Sequence, residues 1–146
     1  YEAAMLRYPQ TSVFKNNLAY MLAEAGQDLD RAEALAYQAL GATSVSNHSR
    51  GTYLDTLAWI HRKQGKLDLA LGEQETALRL VGEDDDDLEV LFAHLADIHT
   101  QRKDESSAAI ARRQAALHDR LASPFPPGNV GFEAPGELMW RALKAR

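Results

Sequence analysis

The stretch YLDTLAWIHRKQGKLDLALGEQETAL, residues 53–78, decides the fold of this chain. Two runs with apolar residues at helical spacing flank Gly65, and glycine ends a helix well because it reaches left-handed backbone angles without a steric penalty. Ala58 in the first run and Ala70 in the second are small, so the two helix backbones can approach each other closely. The stretch therefore predicts two helices that pack together as a hairpin.

This pattern recurs along the chain with a period of about 38 residues. Alanines of the second helix stand in register in each unit: Ala32, Ala70 and Ala108, followed seven residues later by Ala39, Ala77 and Ala115. A Leu-Ala step marks the first helix of each unit: Leu18-Ala19, Leu57-Ala58 and Leu95-Ala96. A fixed period of this size is typical of repeat proteins, in which each hairpin buries its apolar surface by stacking on its neighbours.

The residues at these positions resemble the tetratricopeptide repeat family, whose unit joins an A helix to a B helix. The second unit matches the family at Leu54, Leu57, Ala58, Gly65, Leu67, Ala70 and Ala77. The first matches at Leu18, Ala19, Leu22, Gly26, Ala32 and Ala39, and the third at Phe92, Leu95, Ala96, Ala108 and Ala115. The chain departs from the family where Lys103 replaces the turn glycine, where Ala36, Gln74 and Arg112 replace an aromatic residue, and where His61 and His99 replace tyrosine.

The resemblance implies an all-α fold, a right-handed α-solenoid of helix hairpins with a C-terminal extension. Three repeats occupy residues 12–120, at 12–45, 50–83 and 88–120, after the end of a preceding partial repeat at 1–11. A Pro/Gly-rich arm at 121–136 and a short C-terminal helix at 137–146 follow. We expect the repeat helices at 13–25, 29–40, 51–64, 67–80, 87–102 and 105–120. The partial repeat at the start indicates a fragment of a longer protein, and a disordered or cleaved start is the alternative.

Two features of the repeat array leave alternatives open. Each junction between units is four residues longer than in the usual unit, within GATSVSNHSR at 41–50 and VGEDDDD at 81–87. Either the helices gain a turn there or the loops are long. The helix expected at 137–146 also has two interpretations, as a cap on the end of the stack or as a lid over a binding groove.

Composition excludes several classes of function. The net charge of −5 argues against a nucleic-acid surface, which needs a basic stripe. No apolar run approaches the roughly 18 residues of a membrane span, so no direct membrane insertion is expected. The absence of cysteine excludes disulfides and thiol chemistry. The sequence resembles bacterial members of the family, and its composition leaves the compartment open between cytoplasm and periplasm.

No pattern of catalytic or metal-binding residues stands out. The five histidines form no ligand pair on one helical face, so we expect structural or surface roles for them, no metal and no cofactor. No phosphate loop or nucleophile motif is visible, and we expect no enzyme within these residues. The acidic run at 83–87 is interpreted as a helix cap that opposes the positive end of the helix dipole. The alternative is a weak contact to a cation or a basic peptide.

The resemblance places a ligand groove on the concave face, which A-helix residues line. In the first unit these are Asn16, Asn17, Tyr20 and Glu24. In the second they are Asp55, Thr56, Trp59, Arg62 and Lys63, and in the third His94, Asp97, Thr100 and Gln101. Trp59 and Tyr20 are candidate anchors because large aromatics with a polar tip are favoured in binding sites, although Trp59 also fits simple packing against the next helix.

These residues predict a non-catalytic module that presents its groove to a peptide or protein partner. One subclass of the family holds a C-terminal carboxylate with lysine and arginine, and those residues are absent from the corresponding positions here. The second hypothesis is a structural or oligomerising segment of a larger multidomain protein, whose helices stack on other domains. The third is an enzyme whose catalytic domain is attached outside these residues. The oligomeric state and the identity of the partner stay open.

Overall fold

The computed structural model describes residues 11–42, 44–82 and 86–122, with side chains as far as Asp119. These residues form six α-helices and no β-strand: α1 (Ser12–Ala25), α2 (Leu29–Leu40), α3 (Asn47–Lys63), α4 (Leu67–Val81), α5 (Leu88–Gln101) and α6 (Glu105–Ala122). The all-α class is confirmed, and the helix ends lie within four residues of those expected. The partial repeat, the arm and the C-terminal helix expected at 1–11, 121–136 and 137–146 fall almost wholly outside the described residues.

A turn with a residue in left-handed backbone angles joins the two helices of each hairpin, and the first turn has a second such residue, Asp28 (φ 45°). Gly26 (φ 63°) and Gly65 (φ 79°) occupy this position in the first two turns, and Lys103 (φ 65°) occupies it in the third. The Lys103 N–H donates to the Thr100 carbonyl at 3.0 Å, which closes the third turn as the Gly26 N–H closes the first on Ala23. The lysine therefore keeps the turn, at a cost of about 1–2 kcal/mol for its left-handed backbone.

The residues inserted between the first two hairpins lengthen helix α3. This helix begins at Asn47 instead of residue 51, and the Ser46 hydroxyl caps it by accepting a hydrogen bond from the Ser49 N–H at 3.1 Å. Of the two alternatives, the additional helical turn is the correct one at this junction. Gly51 lies in that turn, where an added Cβ would stand 2.6 Å from Val81 Cγ2. Its lack of a side chain lets the start of α3 lie against the end of α4.

The helices pack in a sequential order that places α1, α3 and α5 side by side. Each helix contacts the next along the chain, and α3 also contacts α1 and α5. Within the described ranges, α2, α4 and α6 make no comparable backbone approach to one another. Seven of the nine repeat alanines have no exposed surface, and the other two, Ala96 and Ala115, are at most 9% exposed: the seven are Ala19, Ala32, Ala39, Ala58, Ala70, Ala77 and Ala108. Close helix contacts at small residues therefore form the core, as the period predicts.

Candidate binding face on helices α1, α3 and α5

We call the surface formed by α1, α3 and α5 the odd-helix face, because all 13 residues expected to line a groove lie on these helices. Five of them are buried: Asn16, Asp55, Thr56, Trp59 and His94. Three are partly buried, Asn17, Tyr20 and Arg62, and five are exposed, Glu24, Lys63, Asp97, Thr100 and Gln101. The odd-helix face thus has a buried centre and an exposed rim.

A polar network around Asp55 fills the centre of this face. His94 Nδ1 lies 2.9 Å and 3.1 Å from the two carboxylate oxygens of Asp55. Because an ionised carboxylate only accepts hydrogen bonds, this contact requires the proton on Nδ1. Gln74 Nε2 donates to Asp55 Oδ1 and, at 2.9 Å, to the backbone carbonyl of Leu91. The network joins α3, α4 and α5, and it satisfies a carboxylate whose unpaired burial would be costly.

Trp59 packs at the centre of the same face and is only 8% exposed. Its ring stacks on the His94 ring with centroids 4.2 Å apart, and the Arg62 guanidinium carbon lies 4.0 Å from the indole centroid. Its Nε1 donates a hydrogen bond to Glu24 Oε1. Trp59 therefore links three helices through packing, a cation–π contact and a hydrogen bond, and little of its ring is left for a partner to touch.

Tyr20 lies beside this centre and keeps more of its surface accessible. Its ring centroid is 6.4 Å from that of His94. Burial raises the pKa of the Tyr20 phenol, the nearby carboxylates of Glu24 and Asp55 add to the effect, and together they bring that pKa to about 12. The hydroxyl therefore stays protonated at physiological pH and serves as a neutral hydrogen-bonding group.

A small cavity opens between the three odd-numbered helices near the start of α5. Its volume is about 150 Å³, and it is lined by Asn16, Thr52, Asp55, Thr56, Asp87, Val90 and Leu91. The Asn16 Oδ1 atom is buried and has no hydrogen-bond partner. Native buried polar atoms are nearly always paired, so this acceptor is one of the few exceptions among the described residues, and it is too enclosed to meet a ligand in the cavity.

The exposed rim residues do not all face the same cluster. Arg62 Nη1 donates to Gln101 Oε1 at 3.3 Å, so these two rim residues join α3 to α5. Thr100 instead accepts a hydrogen bond from Arg112 Nη2 of α6 at 2.6 Å. Thr100 therefore serves its own hairpin rather than the centre of the odd-helix face.

Gln74, Thr52 and Asp87 belong to the network or the cavity but were not among the residues expected there. Gln74 stands where the resemblance places an aromatic residue, and this departure is the one signal of a polar role. Asp87 lies in the acidic run that was interpreted as a cap. The capping part of that interpretation is wrong for Asp87, whose side chain makes no capping hydrogen bond at the start of α5, while the interaction with the helix dipole stays a prediction.

A second polar cluster lies among α2, α3 and α4, around the fully buried His61. Its Nδ1 is 2.7 Å from Glu73 Oε2, and its Nε2 is 2.8 Å from Glu33 Oε1. The packing role expected for His61 fits this position. The Glu73 side chain is only 17% exposed and is bound to His61.

The geometry of this cluster requires a charged imidazolium, since both ring nitrogens must donate. Burial opposes that charge and lowers the His61 pKa, but the hydrogen bonds to Glu73 and Glu33 outweigh it, and the net pKa is raised. The hydrogen bond from His61 is also the main reason why the Glu33 pKa falls to about 2, with Gln64 and Lys66 adding to the effect. The three side chains thus form a buried ionic link between the first and second hairpins.

The described part of the chain contains no group of three or more His, Cys, Asp or Glu side chains placed to hold a metal ion. Across those same ranges, every helix is too short or too polar to cross a membrane. Comparison with protein-family models finds no match to this sequence, and comparison with curated proteins finds no similar chain.

Proposed function

We propose that this chain is a tetratricopeptide-type, right-handed α-solenoid whose odd-helix face is the concave surface that binds a peptide or protein partner without catalysis. The packing order supports the curvature. The odd-numbered helices contact one another, whereas the even-numbered helices do not, and the helices on the inner side of a curved stack are the ones that come closer together.

The single observation that carries the binding role is the convergence of polar and aromatic side chains from three successive odd-numbered helices beside a cavity. Tyr20 from α1, Arg62 from α3 and His94 from α5 meet around Trp59. A helix surface that only faces water does not need polar and aromatic side chains from three helices to converge. Pockets that bind ligands do combine apolar walls with a few placed polar groups. A groove with this lining suits an extended peptide.

The proposal is tested by selecting binders to the full chain from a random peptide library and measuring their affinity by calorimetry. Lys63→Glu and Asp97→Lys reverse charges on the exposed rim of the odd-helix face, and each should change the affinity at least fivefold. The matched charge reversals Arg113→Glu and Asp119→Lys on α6 are exposed and should leave it unchanged. Equal affinities for all four variants, or a library that yields no binder, would contradict the proposal.

An oligomerising or structural role is the second candidate, and one observation favours it. Ile110 and Leu117 of α6 are 61% and 49% exposed and lie seven residues apart, so they share one side of the last described helix. Such a side suits another copy or a neighbouring domain. Analytical ultracentrifugation of the full chain and of an Ile110→Glu, Leu117→Glu variant tests this role. If copies associate through α6, the full chain sediments as an oligomer and the variant as a monomer.

A further inference from the structure

We propose that His94 Nε2 and the Tyr20 hydroxyl form a subsite on the odd-helix face for an uncharged primary carboxamide, namely the side chain of an asparagine or glutamine of the bound peptide. This inference rests on the proposed peptide-binding function and adds the chemistry of one ligand residue. It follows from the way Asp55 orients the His94 ring, from two polar atoms that have no partner among the described residues, and from the balance of charge around Trp59.

The His94 ring has a fixed orientation because two neighbours hold it. Its Nδ1 lies 2.9 Å and 3.1 Å from the two carboxylate oxygens of Asp55, so Nδ1 carries the proton. Its flat face stacks on the Trp59 ring with centroids 4.2 Å apart. In the neutral ring, Nε2 then has a lone pair and no proton. His94 therefore presents a hydrogen-bond acceptor whose direction is set by the fold.

This acceptor is unpaired and still reaches the surface. The His94 side chain is only 9% exposed, and within the described ranges its ring makes hydrogen bonds through Nδ1 alone. Nε2 keeps accessible surface, because the fully enclosed, unpaired side-chain atoms of those ranges are different ones: Asn16 Oδ1, Arg62 Nε, Gln64 Oε1, Gln74 Oε1 and His99 Nδ1. One acceptor at so narrow an opening is a place where one ligand N–H fits.

Tyr20 supplies the second polar atom of the subsite. Its ring centroid lies 6.4 Å from that of His94, and its hydroxyl makes no hydrogen bond to another described residue and is not enclosed. This neutral hydroxyl can donate to a carbonyl oxygen. A primary carboxamide carries an N–H and a C=O side by side, so it can meet both groups at once. The N–H and C=O of a trans backbone amide point in opposite directions, so one backbone amide does not match two neighbouring groups.

The charges around Trp59 favour an uncharged ligand group. The Arg62 guanidinium carbon and the Lys63 ammonium lie 4.0 Å and 5.3 Å from the indole centroid. Two carboxylates offset them: Glu24 accepts from the indole N–H, and Asp55 accepts from the imidazole that stacks on the indole. Because these charges balance, neither a cation nor an anion gains a net attraction to the subsite.

A carboxylate that orients an imidazole is also the arrangement of a metal-binding histidine. A stable metal site needs at least two more protein ligands. Around His94, as elsewhere in the described ranges, no group of three or more His, Cys, Asp or Glu side chains is placed to hold an ion. The free nitrogen therefore suits a hydrogen bond better than a metal bond.

The test is a nuclear magnetic resonance titration of the full chain, ¹⁵N-labelled at histidine, at about pH 8, which is above the range of an ordinary histidine. We expect His94 in the free chain to carry its proton on Nδ1, and saturation with Nα-acetyl-glutamine-N-methylamide or its asparagine analogue to shift the Nε2 resonance. The γ-methyl ester of the glutamate analogue keeps the side-chain carbonyl but has no side-chain N–H, so it should bind at least tenfold more weakly. A proton on Nε2 in the free chain, or equal binding of the ester, would overturn the inference.

Further ligands separate the other chemistries. Tighter saturable binding of the lysine or glutamate analogue would show that the subsite takes a charged group. Saturation of Nε2 by equimolar Zn²⁺ would show that it takes a metal. Binding of propionamide without binding of the glutamine analogue would identify a free amide as the ligand. Each of these results would overturn the assignment to a peptide carboxamide.

Two variants and two matched controls locate the binding. His94→Asn places an amide nitrogen where Nδ1 was, which keeps a donor for Asp55, but it removes Nε2. Tyr20→Phe removes only the hydroxyl. Each should weaken binding of the glutamine analogue at least fivefold, whereas His118→Asn on α6 and Tyr37→Phe on α2 should leave it unchanged. If His94→Asn does not fold, Tyr20→Phe decides: unchanged binding in this variant, or equal weakening by the controls, would overturn the inference.

The outcome is separable from that of the proposed function. If library peptides bind the odd-helix face and their affinity does not depend on any asparagine or glutamine, the subsite fails while the binding function stands. If no peptide binds but the glutamine analogue still shifts Nε2, the carboxamide subsite stands and the peptide groove fails.

Discussion

His61 shows how one residue can carry an interaction that connects two repeats. Its imidazolium lies between Glu33 and Glu73, with no exposed surface, and both carboxylates depend on it for a donor. A neutral imidazole has one N–H, so losing the proton leaves one carboxylate without its hydrogen bond. The stability of this cluster therefore depends on pH.

We expect the free energy of unfolding to fall as the pH rises above 6.5, the pKa of an ordinary histidine. The His61 pKa is raised from 6.5 in the folded state, so its contribution is complete below pH 6.5 and is lost as the pH rises through the folded-state value. The unpaired carboxylate costs about 1–3 kcal/mol. Below pH 4.5 the opposite group matters, since Glu33 loses its contribution as the pH falls towards its folded-state pKa of about 2.

Urea unfolding between pH 5 and pH 9 measures this dependence. The His61→Gln variant should be less stable at pH 5 and should lose the decline at higher pH, whereas His48→Gln, at a half-exposed residue, should keep it. A decline of the same size in His61→Gln would show that another group titrates.

Trp59 shows what the spacing of residues along a helix cannot predict. Its position on the helix face is correct, but a spacing of three and four residues does not tell whether a ring points to a ligand or is covered by a neighbour. The answer comes from His94 and Glu24, which lie 35 residues away in each direction along the chain and cover the ring in the folded protein. The same reasoning applies to Gln74, whose partners belong to two other helices.

At the scale of the helix, the period and the turn glycines predict all six helices because both signals are local. The start of α3 is the exception. A glycine inside a helix costs about 1 kcal/mol relative to alanine. From the sequence alone, Gly51 therefore predicts that α3 begins at residue 51, whereas the helix begins one turn earlier, at Asn47. Only the contact with Val81 of α4 explains why glycine is required there.

We expect Gly51→Ala to lower the free energy of unfolding by up to about 2 kcal/mol. The added Cβ would stand 2.6 Å from Val81 Cγ2 and 3.1 Å from the Ala77 carbonyl oxygen, and such overpacking costs about 1–3 kcal/mol. The gain in helix propensity, about 1 kcal/mol, offsets only part of that cost.

Chemical denaturation of Gly51→Ala and Gly72→Ala makes the comparison direct. Gly72 lies in α4 with nothing within 4 Å of an added Cβ, so its replacement should stabilise the protein by up to about 1 kcal/mol. Equal effects of the two substitutions would show that α3 does not approach α4 at Gly51.

At the scale of the whole molecule, helix contacts are unevenly distributed. Helix α3 contacts α1, α2, α4 and α5, whereas α6 contacts α5 alone among the described helices. The buried clusters follow this order, because Leu57, Trp59 and Ile60 of α3 belong to the core of the first hairpin, and Ala58 packs with Ala70 and Ile98 of the second and third. In an array stabilised by neighbouring contacts, the helix with the most partners is the last to open.

Native-state hydrogen exchange of the full chain should therefore show its slowest amides in α3 and its fastest helical amides in α6. The difference in opening free energy should reach about 2 kcal/mol or more, since opening α6 exposes one interface and opening α3 exposes four. The Ile110→Glu, Leu117→Glu variant is the control, because exchange in α6 is then unaffected if those side chains face water. Exchange in α6 as slow as in α3 would contradict this order of opening and would show that another segment or a second copy covers α6. In that case the Ile110→Glu, Leu117→Glu variant would accelerate the exchange of α6 amides.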